Sequence, residues 1–386
     1  MIRFKSAVLA LCVSALLPLL SVAADQGHVD IGSVVTSAVQ PLMQRYGIPG
    51  MAVGIVINGH TYVYDYGVAS KRTVAPITSL TLFEIGSVTK TFTATLASYA
   101  QLTGKISLSD MVSNDLPSLR GSSFDRVSLL NLGTHTAGGL PLQVPDGIKT
   151  DDQLMSYLRH WKPAYTPGTY RVYSNVSIGL LGLIVAQRMN QNFDALMKNT
   201  LFGPLGLTHT YLDVPAAQMD NYAQGYTSKD LPIRMAPGVL GPQAYGIRTT
   251  AGDLLRFLQA NMRTLDLDAT LQHALTNTHT GYYRVGAMTQ DLIWEQYRYP
   301  ASLEQLHGGN ATKMLFDPNP VTALEPPSLP QDEVVLNKTG STNGFATYVA
   351  FIPEKKIGIV LLANKSYPID ARVSAAYAIL TQLEGR

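Results

Sequence analysis

Apolar residues recur with helical spacing at Val35, Val39, Leu42, Met43 and Tyr46, which predicts a helix over 34–46. Pro41 inside that pattern predicts a kink, and Gly47-Ile48-Pro49-Gly50 closes the helix. An apolar run over 51–57, then Asn58-Gly59, then 60–67 with tyrosines at every second position, reads as a β-hairpin. After Ser87 the spacing of Val88, Phe92, Leu96 and Tyr99 predicts a helix that Gly104 stops. From about 105 to 230 strand character is sparse. Helical patterns appear at 129–130, 155–158, 178–189 and 193–197, punctuated by Pro and Gly. Strands return at 334–337, 345–352 and 357–363, with Pro353-Glu354-Lys355-Lys356 as a turn, and a helix over 370–384 ends the chain.

Strands at both ends with helices between them predict an α/β (α+β) fold. An antiparallel sheet, flanked by the N- and C-terminal helices, carries an inserted and mainly helical lobe. The expected division is a discontinuous α/β lobe over 25–104 and 231–386, with the helical lobe over 105–230. Clusters at the junction of two lobes fall where pockets tend to form.

Residues 1–24 read as a secretory signal peptide. Arg3 and Lys5 give a positive start, Ala7 to Leu20 is apolar, and Val22-Ala23-Ala24 sets a cleavage site after Ala23 or Ala24, the latter favoured. The one cysteine, Cys12, lies inside this segment, so the exported chain has no thiol chemistry and no disulfide. Cleavage removes two basic and no acidic residues and leaves 27 of each sign. A neutral chain gives no reason to expect nucleic acid or an anionic membrane as partner. With 32 Gly and 22 Pro the composition is that of a loop-rich globular enzyme.

Three short clusters carry candidate chemistry. Ser87 and Lys90 stand three apart and share one helix face. A serine hydroxyl becomes nucleophilic when a neighbour takes its proton. Lys90 lies among Phe83, Ile85, Val88 and Phe92, where desolvation makes an amine a base. Taken alone, a helix N-cap serine beside a solvated lysine is the commoner reading. Tyr173-Ser174-Asn175 offers a phenol whose pKa two ammonium groups lower, able to pass protons, and an amide for Lys90 and substrate. The competing reading is a tyrosine packed in a turn.

Lys338-Thr339-Gly340-Ser341 ends a strand. There Lys338 supplies charge and Thr339 a hydroxyl, Gly340 admits close approach of substrate, and the Ser341 N–H joins that of Ser87 as an oxyanion hole. The plain alternative is a strand-edge lysine before a glycine turn. None of the eight histidines, at 28, 60, 135, 160, 209, 273, 279 and 307, forms a metal motif, and each reads as a core or surface residue. No metal and no cofactor is expected.

These three clusters, in this order, resemble the penicillin-recognising serine hydrolases, and within them the class C serine β-lactamases. The resemblance extends to Gly138-Gly139-Leu140-Pro141-Leu142-Gln143-Val144-Pro145, Ala244-Tyr245-Gly246, Gly344-Phe345, 348–353 and 362–368, and so spans essentially the whole exported chain. Tyr-Ser-Asn stands where class A enzymes have Ser-Asp-Asn.

The resemblance implies a β-lactamase/transpeptidase-like fold, with Ser87 acylated, Lys90 activating it and Tyr173 relaying protons. It implies Lys338, Thr339 and Asn343 at the substrate carboxylate, Arg372 at that same end, Gln143 and Asn175 at the acyl side-chain amide, and Tyr245 lining its pocket. Two positions depart from the family pattern, Asn337 where histidine is frequent and Ile369 where asparagine often stands. Carboxylate recognition is therefore expected to differ.

The implied activity is hydrolysis of cephalosporins and penicillins by a monomer in the periplasm, with no stable membrane association after cleavage. A D-alanyl-D-alanine peptidase or family VIII-type esterase on the same scaffold is the enzymatic alternative. A non-catalytic sensor of β-lactams or wall peptides is the alternative from another class.

Overall fold

The computed structural model describes residues 1–2, 30–236 and 238–384; the expected signal peptide, with Cys12, lies outside them but for its first two residues. Helix α1 (Ile31–Tyr46) begins at an Asp30 cap whose carboxylate accepts from the N–H groups of Gly32 and Ser33. It starts three residues earlier than the apolar spacing predicts and continues past the exposed Pro41. Gly47 ends it at φ 59°, the left-handed region that suits glycine. Strands β1 (Gly50–Ile57) and β2 (His60–Gly67) form the expected hairpin, with Asn58 and Gly59 both at positive φ.

Helix α2 (Thr89–Leu102) follows a short turn at Gly86–Val88. Then come α3 (Leu129–Gly133), α4 (Asp151–His160), α5 (Asn175–Arg188) and α6 (Phe193–Met197). Next are α7 (Gly241–Tyr245), α8 (Ala251–Asn261) and α9 (Ala269–Asn277). Three further strands, β3 (Gly281–Val285), β4 (Met288–Gln290) and β5 (Glu295–Arg298), precede α10 (Leu303–Gly309) and β6 (Thr322–Ser328). Strands β7 (Val334–Ser341), β8 (Ala346–Ile352) and β9 (Ile357–Ala363) lead to α11 (Ile369–Leu383).

The nine strands form one antiparallel sheet in the order β6-β3-β4-β5-β7-β8-β9-β1-β2. Alternation along the central strands feeds two cores. Val349, Phe351, Val360 and Leu362 face one, with Phe92 of α2 and Leu254 and Leu258 of α8. Tyr348, Ala350, Ile359 and Leu361 face the other, with Val35 of α1 and Val373 and Ile379 of α11. A one-residue slip would exchange the two sets, and each large apolar side chain is worth roughly 1.5–3 kcal/mol when buried, so the register is strongly specified.

The same register opens part of β7. Strand β5 pairs with β7 from Arg298–Val334 only as far as Glu295–Asn337. Residues 338–341 keep β8 on one side and present their other edge where the Gly86–Val88 turn docks. Among the described residues no helix is long and apolar enough to cross a membrane.

Candidate active site

The turn bearing Ser87 meets β7 backbone to backbone. Gly86, at φ 50°, lies so close to Ser341 that a Cβ on it would fall 2.6 Å from the Ser341 nitrogen. A Cβ on Gly340 would fall 2.0 Å from the Ile85 carbonyl oxygen. Gly340 therefore admits the chain's own backbone at Ile85. The contact brings Ser87 and Ser341 onto the same cleft.

Lys90 is fully buried in the first turn of α2. Its Nζ donates to Ser87 Oγ at 2.8 Å and to the Ala244 carbonyl of α7 at 2.9 Å. Burial, helped by the nearby Lys338 ammonium and opposed by Tyr173, brings its pKa down to about 8.

Tyr173 precedes the cap of α5, where Ser174 Oγ accepts from the Ser177 N–H and donates to the Pro141 carbonyl. The Lys90 and Lys338 nitrogens each lie 5.2 Å from the Tyr173 ring centre, and the Arg171 guanidinium carbon lies at 5.4 Å. Burial pushes the phenol up, but Lys338 and Lys90 together outweigh it and bring the pKa down to about 8. The Tyr173 hydroxyl is buried and makes no well-aligned hydrogen bond among the described residues. It nevertheless lies near enough to the Ser87 hydroxyl and both ammonium groups to feel them.

Lys338 is anchored from below by residues that carry no sequence signal. Glu295 Oε1 accepts from Arg171 Nη2 at 3.1 Å and from Lys338 Nζ at 3.4 Å, all three side chains being buried. Arg171 also donates to Gln290 Oε1 at 2.6 Å and the Met314 carbonyl at 2.7 Å. Removing one member of a buried ion cluster leaves the others uncompensated. Glu295→Gln is therefore expected to destabilise the protein by about 3 kcal/mol, measured by urea unfolding. An unchanged midpoint and slope would show that Arg171 and Lys338 need no anion.

The cleft has a volume of about 630 Å³. Of the residues expected in the site, Ser87, Gln143, Asn175, Tyr245, Ser341 and Asn343 line it. Lys90, Tyr173, Lys338 and Thr339 are buried.

Arg372 lies behind the end of β7. It is buried, and its guanidinium donates to the Gly340 carbonyl at 2.8 Å, Ser341 Oγ at 2.9 Å and the Tyr367 carbonyl at 2.5 Å. These contacts of its two Nη groups brace the end of β7, while its buried Nε has no partner among the described residues. Asn337 is likewise turned away from the cleft. Its amide donates to the Glu295 carbonyl and accepts from Asn310, each at 3.0 Å. Ile369 packs on the α1–α11 core. Neither departure from the family pattern lines the cleft.

The opposite wall is made by Ile233, Arg234, Met235 and Ala236 with Phe316, none of them among the residues expected in the site. Buried Glu84 ties the two walls together, accepting from the Met235 N–H at 2.7 Å and the Thr342 hydroxyl at 2.6 Å. A single glutamate has no spacing partner, so no pattern marks it.

A Beta-lactamase family model matches residues 35–384. A beta-lactamase of Pseudomonas fluorescens is 51% identical over 92% of this chain and 99% of its own. One of Lysobacter lactamgenus is 52% identical over 90% of each chain. Among solved structures, a class C beta-lactamase in complex with cefoxitin shares 54% identity over 91% of this chain and 98% of its own, with a TM-score of 0.89. A D-alanine carboxypeptidase of Burkholderia cenocepacia shares 56% over 92% and 99%, with a TM-score of 0.88.

Proposed function

The chain belongs to the beta-lactamase family, and on that premise we propose that Ser87 is the nucleophile of its class C-type serine hydrolysis. The observation that carries this is the Lys90–Ser87 hydrogen bond of 2.8 Å beside a phenol set between two ammonium groups. In the acylation half, Ser87 Oγ attacks the lactam carbonyl and its proton passes to the Lys90–Tyr173 pair. The N–H groups of Ser87 and Ser341 stabilise the developing oxyanion. The open edge of β7 offers strand-like pairing to the substrate amide. The C–N bond breaks as Tyr173 returns the proton to the lactam nitrogen.

In the second half, Tyr173 accepts a proton from water as the water attacks the ester. The acyl C–O bond to Ser87 then breaks, Oγ takes the proton back from the Tyr173–Lys90 pair, and the acid leaves. Gln143, Asn175 and Tyr245 receive the acyl side chain. Lys338, Thr339 and Asn343 meet the carboxylate end. Penicillins and cephalosporins are the proposed substrates, with residues 1–24 directing a monomer to the periplasm.

Steady-state hydrolysis of a cephalosporin is the expected behaviour. Slow trapping as a stable acyl-enzyme would favour the peptidase reading, which draws on the carboxypeptidase neighbour. Acylation needs the Lys90–Tyr173 pair one proton short of full protonation, and both groups sit at about 8. The free-enzyme profile of kcat/KM is therefore expected to carry an acid limb at or below about 8, falling roughly tenfold per pH unit beneath it. A profile flat from pH 5 to about 9 would remove the pair from the proton path.

A further inference from the structure

Histidine 135 lies in the loop after α3, fully buried, and has no part in the steps above. It touches three consecutive residues of the segment that carries the phenol. The Val172 N–H donates to the His135 carbonyl at 2.9 Å. The Ser174 N–H donates to His135 Nδ1 at 3.3 Å. Between them, the Tyr173 ring lies 4.4 Å from the imidazole, centre to centre, tilted by 40°.

We propose that His135 is a positioning residue for Tyr173: its neutral Nδ1 and its carbonyl clamp the backbone on either side of the tyrosine, and so hold the phenol between Lys90 and Lys338.

Because Nδ1 accepts, the proton sits on Nε2, which is buried and has no acceptor among the described residues. Protonating Nδ1 would turn the acceptor into a donor facing the Ser174 N–H. It would also add a fourth cation to Arg171, Lys90 and Lys338, the charged groups that reach the ring. Burial and those three cations hold the imidazole well below its ordinary pKa, so the clamp stays neutral wherever the enzyme works. A residue of this kind acts on the low pKa of the phenol through geometry. If Tyr173 moves off its seat, it leaves the two ammonium groups and its pKa climbs.

The proposal rests on Tyr173 as the proton relay, and the experiment separates the two. His135→Phe keeps an aromatic ring and removes the acceptor for the Ser174 N–H; His135→Asn keeps an acceptor oxygen at the Nδ1 position and removes the ring. Cephalosporin hydrolysis is followed against pH for both, with Tyr173→Phe as reference and thermal melts as the check of folding. For His135→Phe the expected result is a kcat lowered at least tenfold and an acid limb moved up by about one pH unit. For His135→Asn the limb is expected to stay at the parental pH.

A folded His135→Phe protein with its limb unmoved would overturn the clamp, as would an equal displacement in both variants. Should His135→Phe fail to fold, the Asn profile decides: an unmoved limb supports the clamp, and a displaced one overturns it. If Tyr173→Phe retains parental turnover, the relay itself has failed, whatever the histidine variants do.

Discussion

Ser87→Ala is expected to lower cephalosporin turnover by roughly 10⁴- to 10⁶-fold, the scale at which removal of a nucleophile leaves only binding and oxyanion stabilisation. The fold is expected to survive. Ser87 is only partly buried, and its hydroxyl accepts one hydrogen bond, from Lys90 Nζ. Lys90 retains the Ala244 carbonyl after the substitution, so the melting curve should move by no more than about 1 kcal/mol allows. Stopped-flow hydrolysis and a thermal melt on the same preparation check both halves. Turnover unchanged in a folded Ser87→Ala protein would sink the assignment.

Tyr173→Phe carries the second large effect, a fall in kcat of roughly 10²- to 10⁴-fold. Phenylalanine keeps the ring against His135 and between the ammonium groups. The groups nearest the lost hydroxyl, Ser87 and Lys90, keep each other as partners, and Lys90 keeps the Ala244 carbonyl. The loss should therefore be catalytic and leave stability close to parental. Both halves of the reaction pass a proton through the phenol, and the second also has to activate water. Deacylation is expected to suffer more, and an acyl-enzyme should accumulate in single-turnover experiments. Slowed acylation with deacylation at the parental rate, and so no accumulation, would confine the phenol to acylation.

These effects rest on residues whose legibility in the sequence varied for physical reasons. The hairpin at 50–67 and strands β7 to β9 announce themselves through turn residues and apolar runs. Strands β3 to β5 do not, because their inward positions include polar residues such as Gln290, Glu295 and Gln296. The periodicity of apolar residues is blind to a buried ion cluster. Strand β6 is an exposed edge with Pro326 and Pro327 in it, a composition that argues against a strand anywhere but at an edge.

The site divides the same way. Ser87 and Lys90 are neighbours on one turn, and local spacing is enough to pair them. Lys338 is recognisable as charge, but its partners Arg171 and Glu295 meet it only through the sheet order. Arg372 shows the opposite error. Its motif context places it at the end of β7, yet only the packing of α11 reveals that its two Nη groups already donate to Gly340, Ser341 and Tyr367. His135 was indistinguishable from the other histidines until the loop after α3 brought it against Tyr173.

The central claim is that Ser87 forms an ester that this protein then hydrolyses. Acid-quenched intact-mass and peptide mass spectrometry, taken through a reaction with excess cephalosporin, tests it most directly. The account predicts one substrate-derived adduct on the peptide carrying Ser87, present while substrate lasts and gone when many equivalents of opened product have formed. An adduct on another residue, turnover with no adduct even in Tyr173→Phe, or an adduct that persists without product would contradict it.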